Sequence, residues 1–181
     1  MRYALAILFF SFASNLNAAP LPEKIDGINL NIGRMVRIDL QHFESLTALI
    51  FLSARCPCST SHESGLAQLA KEFPKVRFVG IHSNTDEDTP LSRKHFQASQ
   101  LNFPVIQDEH AELAKKLGAF KTPHVYLYSP NGELLFQGGI DNSHDASKAT
   151  EFYLRDALMA IHDNRPVPRP EVRVLGCAIK R

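Results

Sequence analysis

The sequence predicts an α/β fold in which helices cover both faces of a central mixed sheet. Three observations predict it. Short apolar runs alternate with helix-period segments between residues 48 and 117. Two strand-like runs joined by Ser129-Pro130-Asn131-Gly132 read as an antiparallel hairpin. An amphipathic segment then closes the body of the chain. With 181 residues there is room for one domain with a substantial core, and not for two.

Taken in order, residues 19 to 46 read as an irregular lead-in, with Asp26-Gly27 as a turn and a short strand at Met35 to Leu40. Ala48 to Leu52 is a continuous apolar run, the pattern of a central strand buried on both faces. A helix starts near Ser59 to Ser61, where Thr60 and Glu63 fit a capping box, and Pro74 stops it. Val76 to His82 is the next strand. Thr89-Pro90 reads as an N-cap with proline at the first helical position, opening a helix to about Gln100. Phe103 to Gln107 is a short strand, and Asp108 caps a helix that Gly118 ends. Val125 to Tyr128 and Glu133 to Gln137 form the hairpin, and Gly138-Gly139 breaks its second strand. The last helix runs from about Lys148 to His162, with Leu154, Ala157, Leu158 and Ile161 on one face. Pro166-Val167-Pro168-Arg169-Pro170 begins an extended tail that leads to Cys177.

The first eighteen residues read as an export signal. Arg2 supplies a positive start, Tyr3 to Ala13 an apolar stretch of eleven residues, and Ser14 to Ala19 a small, polar cleavage region with the cut after Ala18. A stretch of eleven residues is too short to span a bilayer. The expected organisation is a signal peptide at 1–18, one domain at 19–165 and a tail at 166–181. Export places the protein in the periplasm if the host is Gram-negative. A formal net charge of +1 gives no electrostatic reason for a nucleic acid or an anionic membrane as partner. In an oxidising compartment thiols tend to pair, and three cysteines cannot all pair with one another.

Two of those three crowd one junction. Cys56-Pro57-Cys58 falls where the buried strand hands over to a helix, and the positive end of a helix dipole favours thiolate over thiol. Arg55 adds a neighbouring positive charge. Cys56 is therefore the candidate nucleophile. Thr122-Pro123, ahead of the next apolar strand, is a candidate cis-proline turn facing that thiol. Such a turn exposes the backbone before the proline, where an extended substrate can add as a strand. Cys58 either joins a strained Cys-x-Cys disulfide or points elsewhere on the first helical turn. Cys177 is either a resolving thiol delivered by a proline-stiffened arm or an incidental free cysteine.

This order of elements, with Cys-Pro at the first strand–helix junction and Thr-Pro before the hairpin, resembles the thioredoxin fold. The added helix and strand at roughly 83 to 107 are typical of its redoxin branch, which holds the alkyl hydroperoxide reductase/thiol-specific antioxidant family. Gly138 to Asp141 and the terminal Gly176-Cys177-Ala178-Ile179-Lys180 are similar to segments of bacterial peroxiredoxin-like proteins. The resemblance covers roughly residues 30 to 181. It implies thiol–disulfide oxidoreduction, with a thiol or disulfide protein as electron donor or substrate. Thioredoxin-type enzymes place the resolving thiol three residues after the nucleophile, where this chain has Ser59, so Cys58 or Cys177 must serve. Peroxidases of the related branch use Pro-x-x-x-Thr-x-x-Cys; here Ser53 stands at the hydroxyl position and Leu49 at the proline position. With Arg55 nearby, reduction of small hydroperoxides through a Cys56 sulfenate is the alternative.

No Gly-rich dinucleotide fingerprint is present, and no cofactor is expected. A copper(I) carrier of the same fold is a third reading, with Cys56 and Cys58 joined by His124 or by His62. A redox-inert binding module is the fourth. The acidic run Asp86-Glu87-Asp88 lacks calcium-loop spacing and reads as a solvated loop.

Overall fold

In the computed structural model, residues 20–40 and 45–181 are described; the expected export signal lies outside them. Strands β1 (Lys24–Asn29) and β2 (Arg34–Asp39) form an opening hairpin. Strand β3 (Thr47–Leu52) leads into helix α1 (Pro57–Glu72), and β4 (Arg77–His82) into α2 (Thr89–Ala98). Then come β5 (Val105–Gln107), a 3-10 turn at Glu109–Ala111, and α3 (Glu112–Leu117). The two-residue β6 (Lys121–Thr122) precedes the hairpin of β7 (His124–Tyr128) and β8 (Leu134–Gly138). Helix α4 (Tyr153–His162) and a two-residue β9 (Cys177–Ala178) complete the chain. Among the described residues no helix is long and apolar enough to cross a membrane.

The main sheet has the order β2-β1-β5-β4-β3-β7-β8. Strands β3, β4 and β5 are parallel, and each end hairpin joins them through one antiparallel strand, β1 against β5 and β7 against β3. Side chains alternate across a strand, and β3 divides accordingly. Ala48, Ile50 and Leu52 pack with Leu66 of α1, Phe96 of α2 and Leu154 of α4. Leu49 and Phe51 pack on the other face with Leu117 of α3 and Ile179 of the tail. Every residue of β3 is buried, as its unbroken apolar run requires. The mixed α/β sheet with helices on both faces is thus as expected.

Several local expectations are corrected. Asp26-Gly27 is not a turn but mid-strand in β1, paired with Arg37 and Val36. The capping box at Thr60 does not form, because Cys56 is the N-cap of α1 and Pro57 is already helical. Thr60 instead donates its N–H and hydroxyl to the Cys56 carbonyl, at 3.1 and 3.3 Å. Asp88, not Thr89, caps α2 by accepting the Leu91 N–H at 2.8 Å. Helix α4 begins five residues later than expected from its periodicity. Asn142 accepts the N–H groups of Thr150 and Glu151, and Asp145 accepts that of Ser147, which holds this stretch as a loop with a single 3-10 turn at Ala146–Lys148.

The tail is stitched to the body along its length. Gln137 donates its N–H to Pro170 O (2.8 Å) and accepts from Val172 N (3.1 Å), beyond the free edge of β8. Ile179 N–H reaches Phe120 O at 3.0 Å, and Thr85 N–H reaches Lys180 O at 2.9 Å. β9 pairs antiparallel with β6, setting Cys177 opposite Thr122. Two glycines allow the close approach. A Cβ on Gly138 would meet Val172 Cγ2 at 2.3 Å, and one on Gly176 would meet Thr122 O at 2.0 Å. Gly176 also has φ +149, a conformation that other residues rarely adopt.

Candidate functional site

The site lies at the carboxyl end of the parallel strands, where open α/β sheets bind ligands. Pro57 at the first helical position removes an N–H that would have had no helical partner. The loop from β3 to Cys56 is gathered by one buried carboxylate, Glu87. It accepts from Ser53 Oγ (2.5 Å), Ala54 N (2.7 Å), Arg55 N (3.3 Å), the Asn84 amide and the His82 ring (3.0 Å). Burial opposes ionisation of Glu87, but the hydrogen bonds from His82, Ser53 and Asn84 outweigh it and hold the carboxyl at about 2. Glu87 is only 4% exposed, which corrects the solvated-loop reading for this residue, while its neighbours Asp86 and Asp88 are exposed as expected.

The three cysteines converge. All are free thiols, and the Sγ atoms of Cys56, Cys58 and Cys177 lie within 4.8 Å of one another. Cys56 is 2% exposed, and its Sγ lies 3.3 Å from the Thr122 carbonyl, the residue before cis-Pro123. Cys58 Sγ lies 3.4 Å from His144 Nδ1. The tail thus brings its cysteine to the other two, and Thr122 and Pro123 sit beside them.

The sulfurs differ in acidity. Burial works against the Cys56 anion, but it is outweighed by the Cys177 thiol, the Ser59 N–H at the helix start, the Thr122 hydroxyl and the Cys177 N–H. Cys56 is therefore held below the ordinary thiol value. The Thr122 hydroxyl has no conventional partner, which leaves it available to the sulfur. Cys58 is raised by burial and then by the neighbouring Cys56 charge. Cys177 is pushed up to about 12 by burial, by its hydrogen bond to Cys56 and by the same charge. Of the three sulfurs, only Cys56 has its anion favoured relative to an ordinary thiol.

Other expected residues fall elsewhere. Ser53 gives its hydroxyl hydrogen to Glu87 and accepts the Cys56 N–H at 3.0 Å, so it shapes the loop. Arg55 is exposed and its guanidinium reaches the Asp86 carbonyl at 3.4 Å, away from the sulfurs. The hydroxyl-plus-arginine arrangement for a peroxide is therefore not assembled at Cys56. Ser59 is fully buried and accepts the Ser53 N–H at 3.2 Å. Neither imidazole of the copper reading joins the sulfurs. His62 is held between the Cys58 carbonyl (2.6 Å) and Asp141 (2.9 Å). His124 stacks on Tyr126 at 4.5 Å between ring centres, and burial pushes it down to about 4.

Sequence reasoning missed Glu87 and His144. Glu87 lies in the connection from β4 to α2, at the same sheet end as the cysteine loop, and that adjacency was the available signal. His144 is placed by Asp141, which binds His62 with one oxygen and the Ser143 N–H with the other at 2.9 Å. The Gly138–Asp141 segment thus ties the loop bearing His144 to α1.

Together the sheet order, the cysteine at the first strand–helix junction and the facing cis-proline define a thioredoxin-like thiol redox protein. Residues 24–137 match the model of the AhpC/TSA family, and the chain belongs to that family. It is accordingly an enzyme of the thiol oxidoreductase or thiol peroxidase type. No curated protein matches the sequence. Among solved structures, an uncharacterized conserved protein from Geobacillus kaustophilus is similar at 27% identity and TM-score 0.78, covering 91% of this chain and 90% of that one. A hypothetical protein from Sinorhizobium meliloti is similar at 23% identity and TM-score 0.77, covering 90% and 93%. A secreted disulfide oxidoreductase from Mycobacterium tuberculosis, homologous to E. coli DsbE, is similar at 21% identity and TM-score 0.52, covering 61% and 79%.

Proposed function

We propose that the chain is an exported thiol–disulfide oxidoreductase in which Cys56 is the nucleophile and Cys177 resolves. The convergence of the three sulfurs, with Cys56 the most acidic, is the observation that carries this reading. The Cys56 thiolate attacks one sulfur of a substrate disulfide, forms a mixed disulfide and releases the other sulfur as thiolate. Cys177 gives up its proton and attacks Cys56, expelling the second substrate thiolate. The substrate gains two electrons and the enzyme is left with a Cys56–Cys177 disulfide. An external dithiol returns the electrons. Thr122 and Pro123 shape the substrate side of the site.

Cys177 is preferred over Cys58 as resolver because it hydrogen-bonds Cys56 and sits on a separate strand. A Cys56–Cys58 bond would close a small, strained ring. Disulfide mapping of the oxidised chain is expected to find Cys56 joined to Cys177. In an insulin-reduction assay Cys56→Ser is expected to abolish turnover; equal rates for wild type and variant overturn the reading. Peroxide reduction is disfavoured by the placement of Ser53 and Arg55, and a sulfenate at Cys56 after stoichiometric peroxide would restore it. Export rests on the amino-terminal pattern and on the secreted character of the Mycobacterium tuberculosis protein. Amino-terminal sequencing of the secreted protein is expected to start at Ala19.

A further inference from the structure

Beyond disulfide exchange, we infer that the reduced protein binds one copper(I) ion through Cys56, Cys58 and Cys177. The three sulfurs come from three places in the fold: the start of α1, its first turn, and strand β9. All are free, and every pair lies within 4.8 Å. Metal–sulfur bonds of about 2.3 Å in a trigonal plane put sulfurs roughly 4 Å apart. A small inward movement of each side chain therefore closes the site. Thiolates are soft donors, and they select soft ions such as copper(I) over magnesium or calcium.

The donor count separates copper(I) from a closed structural zinc site. Structural zinc takes four tetrahedral ligands, each about 3.5 to 4 Å from the other three. His144 Nδ1 is 3.4 Å from Cys58 Sγ, yet it does not belong to the set of ligand atoms mutually within 4.8 Å. That set holds sulfurs alone among the described residues. His62 is occupied by the Cys58 carbonyl and Asp141, and His124 packs against Phe120 and Tyr126. Three ligands without a fourth suit a monovalent ion content with trigonal coordination. Binding replaces the thiol protons and changes no oxidation state. It also occupies Cys56, so the metal-bound protein is inactive in exchange.

The test titrates the fully reduced full-length chain with copper(I) under anaerobic conditions against a competing copper(I) chelator. One ion per chain is expected, with X-ray absorption showing sulfur ligands only. Loss of a direct ligand, in Cys177→Ser, is expected to weaken affinity by more than about 100-fold, beyond what losing an outer-shell partner costs. His144→Ala removes only an outer-shell partner of Cys58 and is expected to cost less than about 100-fold, with the sulfur-only ligand set and the stoichiometry unchanged. Circular dichroism of each variant checks that it folds. No binding, binding unchanged in Cys177→Ser, or a nitrogen ligand that vanishes in His144→Ala each overturns the assignment. Insulin reduction by the metal-free chain is measured alongside. Its loss with copper binding intact counts against the exchange reading alone, and the reverse counts against the metal site alone.

Discussion

At the scale of single residues, the acidity of Cys56 depends on its neighbour Cys177. The sulfur is nearly out of contact with water, which by itself favours the neutral thiol, and only donors aimed at it reverse the balance. Cys177→Ala is thus expected to raise the Cys56 thiol pKa, while Cys177→Ser, which keeps a donor, raises it less. Ultraviolet thiolate titration of both variants in a Cys58→Ser background reads the difference; equal shifts would remove Cys177 as the donor. Glu87 acts one step further back, through the backbone of residues 53 to 55. Its folded carboxyl sits at about 2 against an ordinary 4.5. A lowered pKa contributes stability that is present above about 4.5 and lost as pH falls through 2, and the difference corresponds to roughly 3 kcal/mol. Glu87→Gln is expected to lower Tm at pH 7 and to flatten the decline of Tm between pH 5 and 2. An unchanged slope would mean that another carboxyl governs acid unfolding.

At the scale of elements, α1 and α2 are coupled by a partly buried pair. His95 Nε2 lies 2.6 Å from Glu63 Oε1, and the hydrogen bond to Glu63 raises the imidazole pKa against the effect of burial. A raised pKa stabilises fully below the unfolded value of 6.5, and this contribution is lost as pH rises through the higher folded value. His95→Gln is expected to lose stability at pH 6 and much less at pH 9, as read by urea unfolding at the two pH values. A loss equal at both would make the pair a packing contact only. Glu63 was legible in the sequence as an acidic residue near a helix start. Its partner was not, because a capping box and an inter-helix pair draw on the same residue type. The start of α1 was misplaced for a related reason. Cysteine is a poor cap by propensity, so Ser59 to Ser61 drew the boundary, while Pro57 at the first helical position set it.

At the scale of the whole molecule, the buried parallel strands, the helix order and the cis-proline facing Cys56 could be read from apolar runs and punctuation. Strand β1 was hidden because Asp26-Gly27 looks like a turn, and only pairing with β2 on one side makes it a strand. The arrival of Cys177 could be proposed but not located, since it depends on backbone pairing between residues more than fifty positions apart. That pairing has a consequence for substrates. β9 occupies the backbone positions beside Thr122 that an extended polypeptide would use for strand addition. A two-residue ladder is held by few bonds and belongs to the low-stability end of local opening. A protein substrate must therefore lift β9, whereas a small disulfide need not. Trapping a mixed disulfide at Cys56 in a Cys58→Ser, Cys177→Ser background allows the comparison. With a polypeptide thiol attached, the Ile179 N–H, bonded at 3.0 Å to Phe120 O, is expected to lose hydrogen-exchange protection. With glutathione attached, protection is expected to remain. Equal protection in both adducts would mean that polypeptides approach Cys56 from another side and that β9 is a fixed part of the wall.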